Sequence, residues 1–327
     1  MRAISLPAVP YDATAQRPDW AALPTDLRTA IEARLGAPVT SATTAGGGFT
    51  RGFAAVLTTA GGDRAFVKAA ALDTQPDLAD WYGRETVITA SLPERVPAAR
   101  PRWAATIAGH FVVCFDAIDG HMPELPWRSE ELDAALAAWA VAADELRVPP
   151  PYLAALDLPR LTDLLRSDLS YWKGILAGRE SMPPAPPQAA ARLRELAALE
   201  ATLPGYADTP GVIHCDLRLD NVLIDSHGEA WICDWNWLCY GPAWFDTAAL
   251  LITAYASGLD ADARFAAHPT AAGAPDDALD AALAAFAGFY LSRAAGEQTL
   301  ASPHVRTHQL WSGEQALAWL AERQGWR

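Results

Sequence analysis

Three oxygen-bearing side chains, Asp216, Asn221 and Asp234, fall in one short stretch and are of the types that bind a small divalent cation. The stretch reads VIHCDLRLDNVLIDSHGEAWICDWNWLCYGPAWFD from Val212 to Asp246. Its apolar runs Val222-Leu223-Ile224 and Trp231-Ile232-Cys233 flank Ser226-His227-Gly228, a pattern that predicts a β-hairpin. Asp216 and Asn221 precede the first strand and Asp234 follows the second, so pairing of the strands brings all three together. Carboxylates and an amide oxygen are hard ligands, suited to Mg²⁺ that also holds phosphate oxygens. Any one of them alone is an ordinary turn residue, but their joint spacing argues for a shared site. A rival zinc site of His214, Cys215, Cys233 and Cys239 fits no common ligand spacing. The His214 ring is expected to be structural, satisfied by backbone.

The elements that must position this chemistry begin upstream. After a polar lead-in, Pro24-Thr25 precedes Leu27, Ile31 and Leu35 at helical spacing with Gly36 behind them, which predicts a capped amphipathic helix. A strand from Val39, the run Gly46-Gly47-Gly48-Phe49-Thr50-Arg51-Gly52 and a strand from Phe53 to Thr59 follow. Glycines between two strands let backbone N–H groups approach phosphates without obstruction by Cβ. The turn Ala60-Gly61-Gly62-Asp63 then returns the chain into a third strand carrying Lys68. Lys68 and Lys173 are the only lysines against 23 arginines, which suggests that a compact ammonium is needed there. On the next predicted helix, Pro76 to Leu92, Trp81, Glu85 and Ile88 share a face, and an inward Glu85 needs a cationic partner, for which Lys68 is the candidate. Two further strands are expected near Arg102–Ile107 and Phe111–Phe115, ending at Asp116.

From Ser129 the pattern turns helical. Leu132, Leu136, Trp139 and Leu146 form one apolar face, stopped by Pro149-Pro150-Pro151. Further helices are expected over Leu161–Ala177, Gln188–Leu203, Phe245–Ala256, Ala261–Ala267, Asp276–Ala295 and Trp311–Arg323. Trp235, Trp237, Trp244 and Tyr240 crowd the central stretch, either as buried core or as surfaces that stack on a sugar or a cation.

The spacing His214-x-Asp216-x4-Asn221, with Asp234 13 residues beyond Asn221, resembles the catalytic loop and metal-binding Asp of kinases. Asp234-Trp235 in place of Asp-Phe-Gly, then Gly241-Pro242 and Asp246, is more similar to the aminoglycoside phosphotransferase family than to the protein kinases. The resemblance implies an α+β, bilobal protein-kinase-like fold, with a mainly β nucleotide-binding lobe over 1–119 and a mainly helical catalytic and acceptor-binding lobe over 120–327. It implies Asp216 at the acceptor hydroxyl, as general base or orienter, and Asn221 and Asp234 on Mg²⁺. Gly46, Gly47, Gly48 and Thr50 would cover the phosphates of ATP or GTP, Lys68 would bind them with Glu85 as its partner, and Asp116 would lie at the hinge that holds the base. Asp246 would brace the loop. Cys215 departs from the family's usual Gly, and Arg218 and Asp220 from its common His-Pro-Gly loop; the last two either pair with each other, contact phosphate or acceptor, or close the turn.

Net charge is −14, which argues against nucleic acid as a partner. Residues 1–119 hold 11 basic and 12 acidic side chains, whereas residues 120–327 hold 14 and 27. That acidity either draws a cationic substrate or serves solubility. No segment reads as a signal peptide or a membrane span, so a cytoplasmic protein with reduced cysteines is expected. The leading expectation is a phosphotransferase acting on an alcohol group of a small molecule, aminoglycoside-like and cationic, with antibiotic resistance as its role. The alternatives are a metabolite kinase of the choline, homoserine or sugar type, a non-catalytic nucleotide-binding module, and a protein kinase.

Overall fold

Alternation along the third strand sets the architecture of the first half of the chain. A computed structural model describes residues 3–298 and 302–326. It places strands β1 (Val39–Thr44), β2 (Phe53–Thr59), β3 (Arg64–Ala71), β4 (Pro101–Ile107) and β5 (His110–Asp116) in one antiparallel sheet of order β1-β2-β3-β5-β4. Successive side chains of a strand point to opposite faces. Ala65, Val67 and Ala69 therefore bury against α1 (Thr25–Leu35) through Leu27 and Ile31. Phe66, Lys68 and Ala70 turn to the other face, where α2 (Pro76–Ala90) lays Leu78, Ala79 and Tyr82 on the sheet. Full burial of a side chain such as Leu27 or Ile31 contributes about 1.5–3 kcal/mol. α1 ends as expected, with Gly36 at φ +80°, but no side chain caps its first turn.

The remainder is mainly helical. Strand β6 (Gly120–His121) leads into α3 (Ser129–Leu146) and joins β8 (Val222–Asp225) and β9 (Ala230–Ile232) in a small sheet of order β6-β8-β9; β7 (Val212–Ile213) pairs with β10 (Cys239–Tyr240). The expected hairpin is β8 and β9, with Val222 opposite Ile232 and Ile224 opposite Ala230. Gly120 is required where β6 meets β8, since a Cβ there would lie 2.3 Å from the Ile224 carbonyl oxygen. Helix 278–294 is buried on nearly every side and packs against the helix Val305–Arg323, which makes the pair the centre of the larger core.

Three sequence-based expectations are corrected. The helix expected over Leu161–Ala177 is two, Leu161–Ser167 and Trp172–Leu176, because the Glu200 carboxylate accepts the Tyr171, Trp172 and Lys173 N–H groups at 2.8, 3.1 and 3.0 Å and starts a new turn. The one expected over Gln188–Leu203 is divided at Arg192 into Pro187–Ala191 and Leu193–Tyr206. The last helix starts at Val305 rather than Trp311, behind Ser302, whose hydroxyl accepts the His304 N–H.

The polar lead-in also acquires structure. Ser5 N–H donates to the Ala256 carbonyl, and Trp311 Nε1 to Ser5 Oγ. Tyr11 Oη meets His308 Nδ1 at 2.8 Å, and Ser302 Oγ donates to the Thr14 carbonyl. The same segment then reaches the glycine-rich turn, with Ala15 N–H on the Gly46 carbonyl and Thr14 Oγ1 on that of Gly48. It is a strap from the helical part to the sheet. Among the described residues no helix is long and apolar enough to cross a membrane.

Candidate active site

Asp216 lies in the loop between β7 and a single 3₁₀ turn, Leu219–Asn221, and the loop is braced from both sides. The Asp246 carboxylate, at the start of helix Trp244–Ala256, accepts His214 N–H at 2.7 Å and Cys215 N–H at 3.0 Å. Burial pushes its pKa up to about 7, against these donors. The His214 ring is fully buried, with Nε2 on the Cys233 carbonyl at 2.8 Å and Nδ1 near Asp216 N–H. Burial pulls its pKa down to about 4, so the neutral ring holds the loop as a structural group. Cys215 sits at φ +64°, a left-handed conformation that favours Gly and that costs a side-chain-bearing residue about 1–2 kcal/mol. All four cysteines are free thiols.

The ends of the hairpin meet as the spacing requires. Cys233 N–H donates to the Asn221 carbonyl, and Asn221 Nδ2 donates to the Asp216 backbone and side-chain oxygens at 2.8 and 3.2 Å. Arg218 settles one open alternative by forming a bidentate pair with Asp220 at 3.0 and 2.9 Å. It also binds Asp216 Oδ1 at 2.8 Å, and its guanidinium lies 5.7 Å from the Phe49 ring at the tip of the glycine-rich turn. Burial raises the Asp216 pKa to about 6, with Arg218 opposing and the Asp220 and Asp234 charges adding to the rise.

Lys68 is the hub on the sheet side. Its Nζ contacts both Glu85 oxygens at 2.8 Å and pairs with Asp234, among the rings of Phe66, Tyr82 and Phe115. Burial works against the ammonium, but the two carboxylates outweigh it and raise its pKa. Glu85 is pushed up to about 7 by burial, whereas Asp234, which burial alone would raise, is pulled down to about 2 by Lys68 together with weaker contributions from Arg17 and Glu85. Asp234 itself stands at φ +58°, and its carboxylate pairs with Lys68.

Lys68, Glu85, Asp220 and Asp234 line a cavity of about 750 Å³ between the sheet and the hairpin, whereas Asp216 and Asn221 lie outside its lining. Gly46, Gly47, Gly48 and Thr50 form its roof, and Phe115, Asp116 and Ile118 its far end. The roof glycines have a constraint that their sequence did not announce: a Cβ on Gly46 would lie 1.8 Å from the Asp12 carbonyl oxygen, and one on Gly47 3.2 Å from that of Tyr11. The Asp116 side chain turns away to Arg102 Nε at 2.8 Å, leaving backbone at that end of the cavity. Of the aromatic residues, Trp235 and Trp244 are buried, while Trp237 is exposed beside Trp81, their rings 6.2 Å apart. Periodicity and motif gave no signal for Tyr11, Asp12 or Arg17, which line the same cavity from the strap.

Among the described residues no cluster of three or more His, Cys, Asp or Glu could hold a metal. The Asn221 amide oxygen accepts no hydrogen bond among them, and Lys68 helps hold the Asp234 pKa down, so the two would offer hard oxygens to a divalent cation such as Mg²⁺. The donor chemistry fits that ion.

Residues 42–289 match the model of the phosphotransferase enzyme family. No curated protein sequence matches the chain significantly. Among solved structures, a thermostable mutant of aminoglycoside phosphotransferase APH(4)-Ia in ternary complex with AMP-PNP and hygromycin B has 13% identity and TM-score 0.61, covering 92% of this chain and 100% of that one. A macrolide 2'-phosphotransferase type I has 20% identity and TM-score 0.57, covering 86% and 94%. A putative fructosamine-3-kinase from Haemophilus somnus 129PT has 11% identity and TM-score 0.54, covering 87% and 97%. At these identities the likeness establishes the kinase-like fold.

Proposed function

The chain belongs to the phosphotransferase enzyme family, and from that premise we propose that it transfers the γ-phosphoryl of ATP or GTP to a hydroxyl of a small cationic acceptor, aminoglycoside-like in chemistry. The observation that carries the reading is the Lys68–Glu85–Asp234 cluster, set in one cavity under a glycine turn and beside the Asp216 loop. In this reading Lys68 binds the nucleotide's phosphates, Glu85 fixes the ammonium, and the roof from Gly46 to Thr50 excludes water. Backbone near Asp116 takes the edge of the base. Asn221 and Asp234 would hold Mg²⁺, which neutralises charge on the transferred group when bound. Asp216 accepts or orients the proton of the acceptor hydroxyl after exchanging its contact with Arg218 for the acceptor. The lobes would divide near residues 119 and 120, at the entry to β6.

The acidity of residues 120–327 supports a cationic acceptor, and the hygromycin B bound by a structural relative supports antibiotic resistance as the specific reading. The fold shared with a putative fructosamine-3-kinase favours a second reading, a sugar-type metabolite kinase. The test is nucleoside diphosphate release from Mg²⁺–ATP and Mg²⁺–GTP across aminoglycosides, macrolides, choline and sugar amines. Release that depends on an aminoglycoside is the expected result. Release only with sugar amines would install the second reading, and nucleotide binding without turnover on any acceptor would favour a binding module.

A further inference from the structure

The nucleotide cavity takes part of its wall from outside the stretch that defines the family, and that part carries a charge. Arg17 lies on the strap, upstream of the family match at residues 42–289. Its Nη2 donates to the Gly47 carbonyl at 3.0 Å and its Nη1 reaches that of Gly52 at 3.4 Å, so the guanidinium spans the inside of the glycine-rich turn. Its Nε is buried and has no hydrogen-bond partner.

Charge bookkeeping inside the cavity singles out this residue. Arg17 and Lys68 are the only Lys or Arg side chains lining it among the described residues. Lys68 is already shared between Glu85 and Asp234, whereas Arg17 forms no ion pair among the described residues and is held only by carbonyl oxygens. An incoming nucleoside triphosphate carries several negative charges into a space that also holds carboxylates. A guanidinium has five donors in a planar fork that matches phosphate oxygens, and here some of those donors remain unused.

We propose that Arg17 is a phosphate-binding residue of this enzyme, carried into the nucleotide cavity by the N-terminal strap. The strap's anchors fix where the guanidinium sits: Tyr11 on His308 and Thr14 on Ser302 at one end, Ala15 on Gly46 at the other. Lys68 then supplies a point charge from the floor and Arg17 a fork from the roof. The proposal rests on the phosphotransferase reading.

The test compares wild type, Arg17→Ala and Arg17→Lys by calorimetric binding of Mg²⁺–ATP, Mg²⁺–GTP, adenosine and guanosine, with melting temperatures alongside. Loss of charge-assisted bonds predicts about 10- to 100-fold weaker triphosphate binding in Arg17→Ala, an intermediate loss in Arg17→Lys, and nucleoside binding unchanged. An equal loss for triphosphate and nucleoside would overturn the proposal by making Arg17 a brace for the turn, and unchanged triphosphate binding would overturn it outright. Should Arg17→Ala not fold, Arg17→Lys carries the same comparison. Absence of nucleotide binding by wild type would overturn the phosphotransferase reading and this proposal together, whereas binding by wild type with an indifferent variant overturns only this one.

Discussion

Asp216 is half-buried, contacts Arg218 and has its pKa raised to about 6, so in the proposed role its ionisation would be the step that pH controls. The acceptor's proton needs the carboxylate form, so kcat/KM is expected to fall as pH drops through about 6 and to level off above it. Asp216→Ala should lower kcat by about 10²–10⁴-fold, the range for removing a general base, while Mg²⁺–nucleotide affinity stays. A pH profile that is flat between pH 5 and 7, about the window named, would remove Asp216 from this role. Two local groups of this cluster are legible in the sequence, although the pair that joins them, Lys68 with Asp234, spans 166 residues. Asp216, Asn221 and Asp234 flank one hairpin, and Lys68 and Glu85 occupy adjacent elements. Arg17 is not legible, since it reaches Gly47 across 30 residues from a segment with no periodicity of its own.

At the scale of elements, α2 must hold Glu85 against Lys68, and Arg100 holds the end of α2. Arg100 Nη1 donates to the Thr89 and Leu92 carbonyls at 3.0 Å, and Nη2 to those of Pro93 at 2.6 Å and Val96 at 2.9 Å. A cation on the unsatisfied carbonyls at a helix C-terminus is favoured by both hydrogen bonding and the helix dipole. Arg100→Ala is expected to cost about 3 kcal/mol in denaturant unfolding and to lower nucleotide affinity as Glu85 loosens. A cost within about 0.5 kcal/mol, that of an ordinary surface substitution, would show that α2 holds itself. The sheet, α1 to α3 and the hairpin follow from alternation and helical spacing, which report contacts made by neighbours in sequence. The break between Leu161–Ser167 and Trp172–Leu176 escapes such reading because its cause, Glu200, lies 27 to 29 residues away. The roof glycines are a mixed case: their turn is legible, but not the strap backbone that presses against Gly46.

For the molecule as a whole, the uneven charge and the joined ends each have a consequence. If residues 120–327 draw a cationic acceptor by their field, KM for that acceptor should rise with ionic strength, more steeply than KM for nucleotide. Equal salt dependence for both substrates would assign the acidity to solubility. His308, buried under Tyr11, Phe49 and Tyr290, has its pKa pulled down to about 3 by burial. Because the fold prefers the neutral ring, this group's contribution is fully present above about pH 6.5 and is lost as pH falls toward 3. The raised carboxyls Asp216, Glu85 and Asp246 act in the opposite sense, so the test is a difference. The melting temperature of wild type should fall relative to His308→Gln on acidification from about pH 6.5 to 4, and a constant gap would refute it. The bond from Tyr11 to His308 closes a separation of 297 residues. A ribosome adding about 5–20 residues per second leaves about 15–60 s between the emergence of the two. The sheet and the strap's bonds to Gly46 and Gly48 are thus available early, whereas its Tyr11 latch waits in the cell until His308 has left the exit tunnel.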